Sequence, residues 1–186
     1  MRDGQPKPEE YSRVTDAARF AVLHDAADNL LDELAEQYVV ERRETKELLA
    51  GVDGPLVRTV WLVPRVPAAA PLGMAFTDFP GVVLRLGRWY QQSLPACGCD
   101  ACDEDPAELV ADLRAQAGAL VEGGLWERVH RRLTSSWSET RLVGPDFTTS
   151  QQAPLEVREA RAARREGFAA AMQWAPWPRR PLDLAN

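Results

Sequence analysis

Histidine, cysteine and lysine are scarce in this 186-residue chain, with two histidines, three cysteines, and lysine only at Lys7 and Lys46. Any metal site built on imidazole is therefore limited to His24 and His130. No stretch approaches the ~18 uninterrupted apolar residues that a membrane-spanning helix needs. The first ten residues, Met1 to Glu10, hold no apolar run, so no secretory leader is read there. The expected compartment is the cytoplasm, where thiols stay reduced, which makes a structural disulfide the weaker reading of the cysteines. Phosphate-cradling glycine motifs are missing, and no G-x-S-x-G elbow accompanies Ser135, Ser136 and Ser138, so these serines receive no nucleophilic role. Positive charge is short as well. The net charge is −6 and the pI about 5.1, which argues against a general nucleic-acid binder, since that function needs a basic face to displace counterions.

What is present suffices for one ordinary domain. Hydrophobic residues make up 45% of the chain, enough for a proper core and too many for global disorder. The charge is unevenly placed. Asp25, Asp28, Asp32, Glu33, Glu36 and Glu41 follow one another without an intervening cation, whereas Arg158, Arg161, Arg164 and Arg165 cluster near the end. The plain reading is two solvated helix faces of opposite sign lying near each other, and the sharper one is a partner surface. The excess of Arg over Lys and the abundance of Ala suit a GC-rich bacterial genome.

Residues 1–14 are polar, hold two prolines and read as an extended arm. Thr15 or Asp16 is suited to cap a helix over 15–38. Within it Phe20, Leu23, Ala27, Leu30, Leu31, Leu34 and Tyr38 recur at steps of three and four. Glu44 to Leu49 is helix-compatible, and Gly51 to Pro55 reads as a turn. Segments 56–63, 72–76 and 82–89 read as strands of an antiparallel meander, because their connections are too short for parallel crossovers. Asp105 or Asp103 opens a second helix, 106–122, with Pro106 in its first turn and Gly123-Gly124 ending it. From Leu125 the period changes to two. Leu125, Val129 and Leu133 alternate with Trp126, Arg128, His130 and Arg132, and Trp137 to Val143 form the return strand of a hairpin over 125–143. Gly144 to Pro154 reads as a polar loop, 155–172 as a third helix, and 173–186 as an irregular tail whose Trp174 and Trp177 suggest packing on the body. Trp61, Trp89, Trp126 and Trp137 are read most simply as core, with a ligand pocket lined by them as the alternative.

The most distinctive stretch runs from Pro95 to Pro106 and contains all three cysteines, Cys97, Cys99 and Cys102, at C-x-C-x-x-C spacing. A two-residue gap lets two sulfurs turn to one ion, and Gly98 eases the tight backbone Cys97 would need to join them. A structural zinc site is the first reading. Its fourth ligand is left open among His24, His130 and Asp103, with Asp100 and Glu104 as further oxygen donors. Buried or incidental thiols are the second reading and redox-active thiols the third. Asp100, Asp103, Glu104 and Asp105 disfavour a reactive thiolate and favour a bound cation. His24 also suits a half-buried histidine paired with Asp28 or a backbone group, and His130 a solvated strand face or an anion site shared with its neighbouring arginines.

Several residues together resemble a family of uncharacterised actinobacterial proteins, a domain of unknown function. They are Tyr11-Ser12-Arg13-Val14-Thr15, Phe20 with His24, Phe76-Thr77-Asp78-Phe79-Pro80-Gly81, and above all Cys97-Gly98-Cys99-Asp100-Ala101-Cys102-Asp103-Glu104. The resemblance covers roughly residues 10–140. It implies a cytoplasmic bacterial domain and brings no catalytic residue with it.

The expected architecture is a single α+β domain over 15–172, with a largely antiparallel sheet carrying helices mainly on one face. The expected function is a non-enzymatic binding domain with a protein partner, and neither a nucleic acid nor a membrane. A thiol-based enzyme or sensor using Cys97, Cys99 and Cys102 is the first alternative, and a small-ligand pocket the second.

Overall fold

A computed structural model describes residues 13–46 and 56–181. Most of the N-terminal arm and the turn expected at 51–55 lie outside these residues. The order of elements is a 3₁₀ turn (Ala17–Ala21), α1 (Val22–Gln37), β1 (Val40–Thr45), β2 (Leu56–Pro64), β3 (Leu72–Thr77), β4 (Val82–Leu86), β5 (Tyr90–Leu94), α2 (Pro106–Val121), β6 (Leu125–Arg131), β7 (Ser136–Val143), β8 (Thr148–Pro154), α3 (Val157–Ala163), a π-type turn (Arg164–Phe168) and β9 (Met172–Gln173).

The class is α+β, and the strands form two antiparallel sheets rather than one. β1 to β5 make a meander in chain order, and the second sheet runs β8-β7-β6-β9. The hairpin expected at 125–143 therefore belongs to a separate sheet. Pairing in the first sheet sets Met74 beside Leu84 and Val60, and the alternation of the strands turns Val60, Leu62, Leu72, Met74, Phe76, Leu84 and Leu86 into the core. α1 and α2 pack on each other and on β4. Leu23, Leu30, Leu31 and Leu34 from α1 and Leu109, Leu113 and Leu120 from α2 close that core, each buried side chain contributing about 1.5–3 kcal/mol. α3 packs on β6 and β7 instead, where Ala160, Ala163, Val129 and Phe168 form a second, smaller cluster.

Several boundaries differ from the sequence reading, each for a local reason. Residues 40–45 are strand, paired along β2 from Val40 with Pro64 to Thr45 with Thr59, so the helix-compatible stretch from Glu44 begins as strand. The strand expected at 82–89 ends at Leu86, and after a turn a further strand begins at Tyr90. Gly87 sits at φ +63°, a left-handed conformation that glycine adopts at no steric cost, and it turns the chain into β5. The polar loop expected at 144–154 contains β8, an edge strand paired with β7 from Val143–Thr148 to Trp137–Pro154. It is largely exposed on both faces, so no apolar alternation marked it. The third helix is shorter than 155–172, because its π-type turn closes on Gly167 at φ 105°. Leu133 leaves the buried face of β6 for the hairpin tip, where it is fully exposed. Trp61, Trp89, Trp126 and Trp137 are half-buried, while Trp177 is 3% exposed inside the main core and donates its indole N–H to Ala70 O at 2.8 Å.

Candidate metal centre

The cysteine loop joins β5 to α2 and is held by its own carboxylates. Glu104 folds back to accept from the amides of Cys97 at 2.7 Å and Ala96 at 3.1 Å. Asp105 caps α2, accepting from Ala107 N at 2.8 Å, so the helix start fixes the far end of the loop. Asp100 reaches across to the segment before α1, accepting from Thr15 N at 2.8 Å and from the Thr15 hydroxyl. Its own amide donates to Arg13 O at 2.8 Å. Asp103 meets Arg19 at 3.2 Å. Gly98 lies against Phe79 of the β3–β4 turn, where a Cβ would overlap the ring. The Phe79 ring packs on Phe20, centroids 5.9 Å apart. The loop is thus pinned by three parts of the chain that are far apart in sequence.

This frame brings the three sulfurs together. Sγ of Cys97 and Cys99 lie 3.1 Å apart, and those of Cys99 and Cys102 3.5 Å apart. All three fall within 4.8 Å of one another. Cys99 is buried, Cys97 intermediate and Cys102 exposed, and all three are free thiols. Crowding splits their acidities. The Cys97 thiol beside it, and then the Cys102 amide, hold Cys99 below the usual thiol range, while hydrogen bonding to Cys97 and then Cys99 pushes Cys102 up to about 12. A thiolate is favoured at Cys99 and opposed at Cys102 by its two neighbours, which is the electrostatics a divalent cation reverses.

The other residues considered as ligands have different partners. The His24 ring nitrogen Nε2 donates to Gly81 O at 3.0 Å, and the ring sits edge-on to Phe76 at 5.2 Å, so of the two expected partners His24 takes the backbone group and secures the β3–β4 turn, while Asp28 binds Arg58. His130 lies on β6 in the other sheet, bonded to Glu139 and stacked on Trp137 with centroids 5.0 Å apart. Asp103, Asp100 and Glu104 are engaged as described above. Among the described residues, no imidazole nitrogen or carboxylate oxygen joins the three sulfurs within that 4.8 Å.

A second polar centre escaped the sequence reading. Glu127 of β6 is fully buried and accepts from Trp89 N at 2.8 Å, Arg88 N at 3.1 Å and the Trp174 indole at 2.8 Å. Burial pushes its pKa up from the usual carboxylate value, against the pull of those donors and of Arg85. It ties the β4–β5 turn of the first sheet to the second sheet and to the chain end. The signal in the sequence is a carboxylate two residues from Leu125 and two from Val129, in phase with the buried face.

No curated protein and no solved structure matches the chain. A sequence model of a family of unknown function does match, over residues 1–181, a wider span than the resemblance in the sequence had covered. The chain therefore belongs to that family of unknown function, DUF6226.

Proposed function

We propose that the chain is a non-enzymatic binding module whose cysteine loop closes around one thiophilic divalent ion, zinc in first place. The observation that carries this reading is the convergence of Cys97, Cys99 and Cys102 within 4.8 Å in a loop whose carboxylates hold backbone and arginines. Zinc with sulfur ligands at about 2.3 Å in tetrahedral geometry spaces them about 3.8 Å apart. The sulfurs at 3.1 and 3.5 Å need to open by about 0.7 and about 0.3 Å to reach that spacing. Three thiolates leave the fourth tetrahedral position to a further donor, and the exposed side of Cys102 faces solvent for it. The ion's role is structural, because the loop it would close already joins β5 and α2 to the chain before α1. The free thiols of the cysteine loop support a reducing, cytoplasmic setting, the resemblance of the Cys97 to Glu104 run to an actinobacterial family supports such a source, and the partner is a protein.

Cobalt substitution tests the site. Protein refolded with Co²⁺ is expected to show intense thiolate-to-cobalt charge transfer, which the Cys99→Ser variant loses. A cobalt spectrum without thiolate bands would overturn the reading. The lowered pKa of Cys99 keeps a redox role as the second reading. That reading predicts fast, selective alkylation of Cys99 at neutral pH, insensitive to added zinc.

A further inference from the structure

The charged residues of this protein are not paired at random. The acidic run of α1 is answered within the first sheet and α2: Asp28 meets Arg58, Asp32 meets Arg42, and Glu33 takes both Nη atoms of Arg114 at 2.8 and 3.1 Å. It does not meet the arginine cluster near the chain end. At the far end of the second sheet a cleft of about 460 Å³ is lined by Arg131, Arg132, Leu133 and Arg164. Arg131 closes β6, Arg132 and Leu133 form the β6–β7 tip, and Arg164 follows α3. No carboxylate lines this cleft, and among the described residues none lies within 4.0 Å of these three guanidinium groups. The nearby acids are used elsewhere: Glu139 by His130, Glu166 by Arg88, and Glu159 by the Trp89 indole. Arg132 is steadied by the Trp137 ring, 5.3 Å from its centroid, and the tip is closed by the Arg132 amide on Ser135 O at 2.8 Å.

Three guanidinium groups facing one cleft repel one another, and each brings a planar fork of donors suited to phosphate oxygens. We propose that this cleft binds a phosphate-bearing anion of more than one negative charge. Two sources share that chemistry: a soluble oligophosphate, and the headgroups of an anionic lipid layer into which the fully exposed Leu133 would dip. The inference rests on the reading of the chain as a binding module and not on the metal, since the cleft lies in the other sheet from the cysteine loop.

The test uses the full chain with two probes, inorganic tripolyphosphate followed by calorimetry and phosphatidylglycerol vesicles followed by co-sedimentation, with phosphatidylcholine vesicles as the neutral control. Arg131→Ala, Arg132→Ala and Arg164→Ala replace exposed side chains, so folding is expected to survive, and circular dichroism checks this. Each is expected to weaken binding of the effective probe about tenfold, and binding should fall as salt rises. A response to tripolyphosphate that Leu133→Ser leaves unchanged identifies a soluble ligand. Binding to anionic vesicles alone, lost in Leu133→Ser, identifies a lipid surface. Binding of neither probe, or binding that all three arginine variants retain, overturns the proposal. Metal content measured on the same samples keeps a failure here separate from a failure of the metal reading.

Discussion

At the scale of single residues, the buried carboxylate Glu127 carries the sharpest expectation. It presents two acceptor oxygens to three N–H donors. Glu127→Gln puts an NH₂ group among those donors, and the variant is expected to lose about 1–3 kcal/mol in chemical denaturation. Asp100 gives a pH dependence. The Thr15 hydroxyl and then the Thr15 amide hold its pKa below the ordinary carboxylate value. A carboxyl whose folded pKa is depressed adds stability above its unfolded pKa, near 3.9, and loses that contribution as pH falls through the folded value. The acid limb of a stability-versus-pH curve should therefore flatten in Asp100→Asn. An unchanged limb would contradict the docking of the loop on Thr15. The cysteines themselves were legible, because C-x-C-x-x-C spacing is a local signal. Their supports were not, since Thr15 and Arg19 meet Asp100 and Asp103 across more than 80 positions of sequence.

At the scale of elements, α2 holds an exception to its own propensity. Gly118 lies inside this helix, and a Cβ there would meet nothing within 4 Å. Gly118→Ala is expected to stabilise the protein by up to about 1 kcal/mol, read as a higher denaturation midpoint. A destabilised variant would mean that the space beside α2 is not open. The long helices were legible because apolar residues at three- and four-residue steps persist over several turns, and because Asp105-Pro106 marks a start. β8 was not, since an edge strand exposed on both faces carries no period of two. The break between β4 and β5 rests on one positive-φ glycine, which the surrounding strand-like residues concealed. Leu133 kept the alternation of β6 in sequence but sits beyond the strand, where the turn reverses the chain.

At the scale of the whole molecule, the strands divide between two sheets, a division that no local pattern announces. Each strand's alternation says which side is apolar and not which sheet receives it. The residues that decide it come from distant positions: Glu127 joins the sheets, and Trp177 from the chain end fills the main core beside Tyr38, ring centroids 5.7 Å apart. Trp177→Ala should therefore cost about 3–5 kcal/mol, measured by thermal or denaturant unfolding, an effect expected of a core residue and not of a trailing segment. The cysteine loop ties a third distant region, the chain before α1, to the same body.

The central claim is that this loop is closed by a metal, and metal content per chain tests it most directly. Untagged protein purified without chelators should carry about one zinc per chain by elemental mass spectrometry. Its three thiols should be shielded from titration until the metal is removed, and the Cys99→Ser variant should lose the zinc while still folding. Metal-free protein with all three thiols freely reactive, and no uptake of added zinc, would contradict the account.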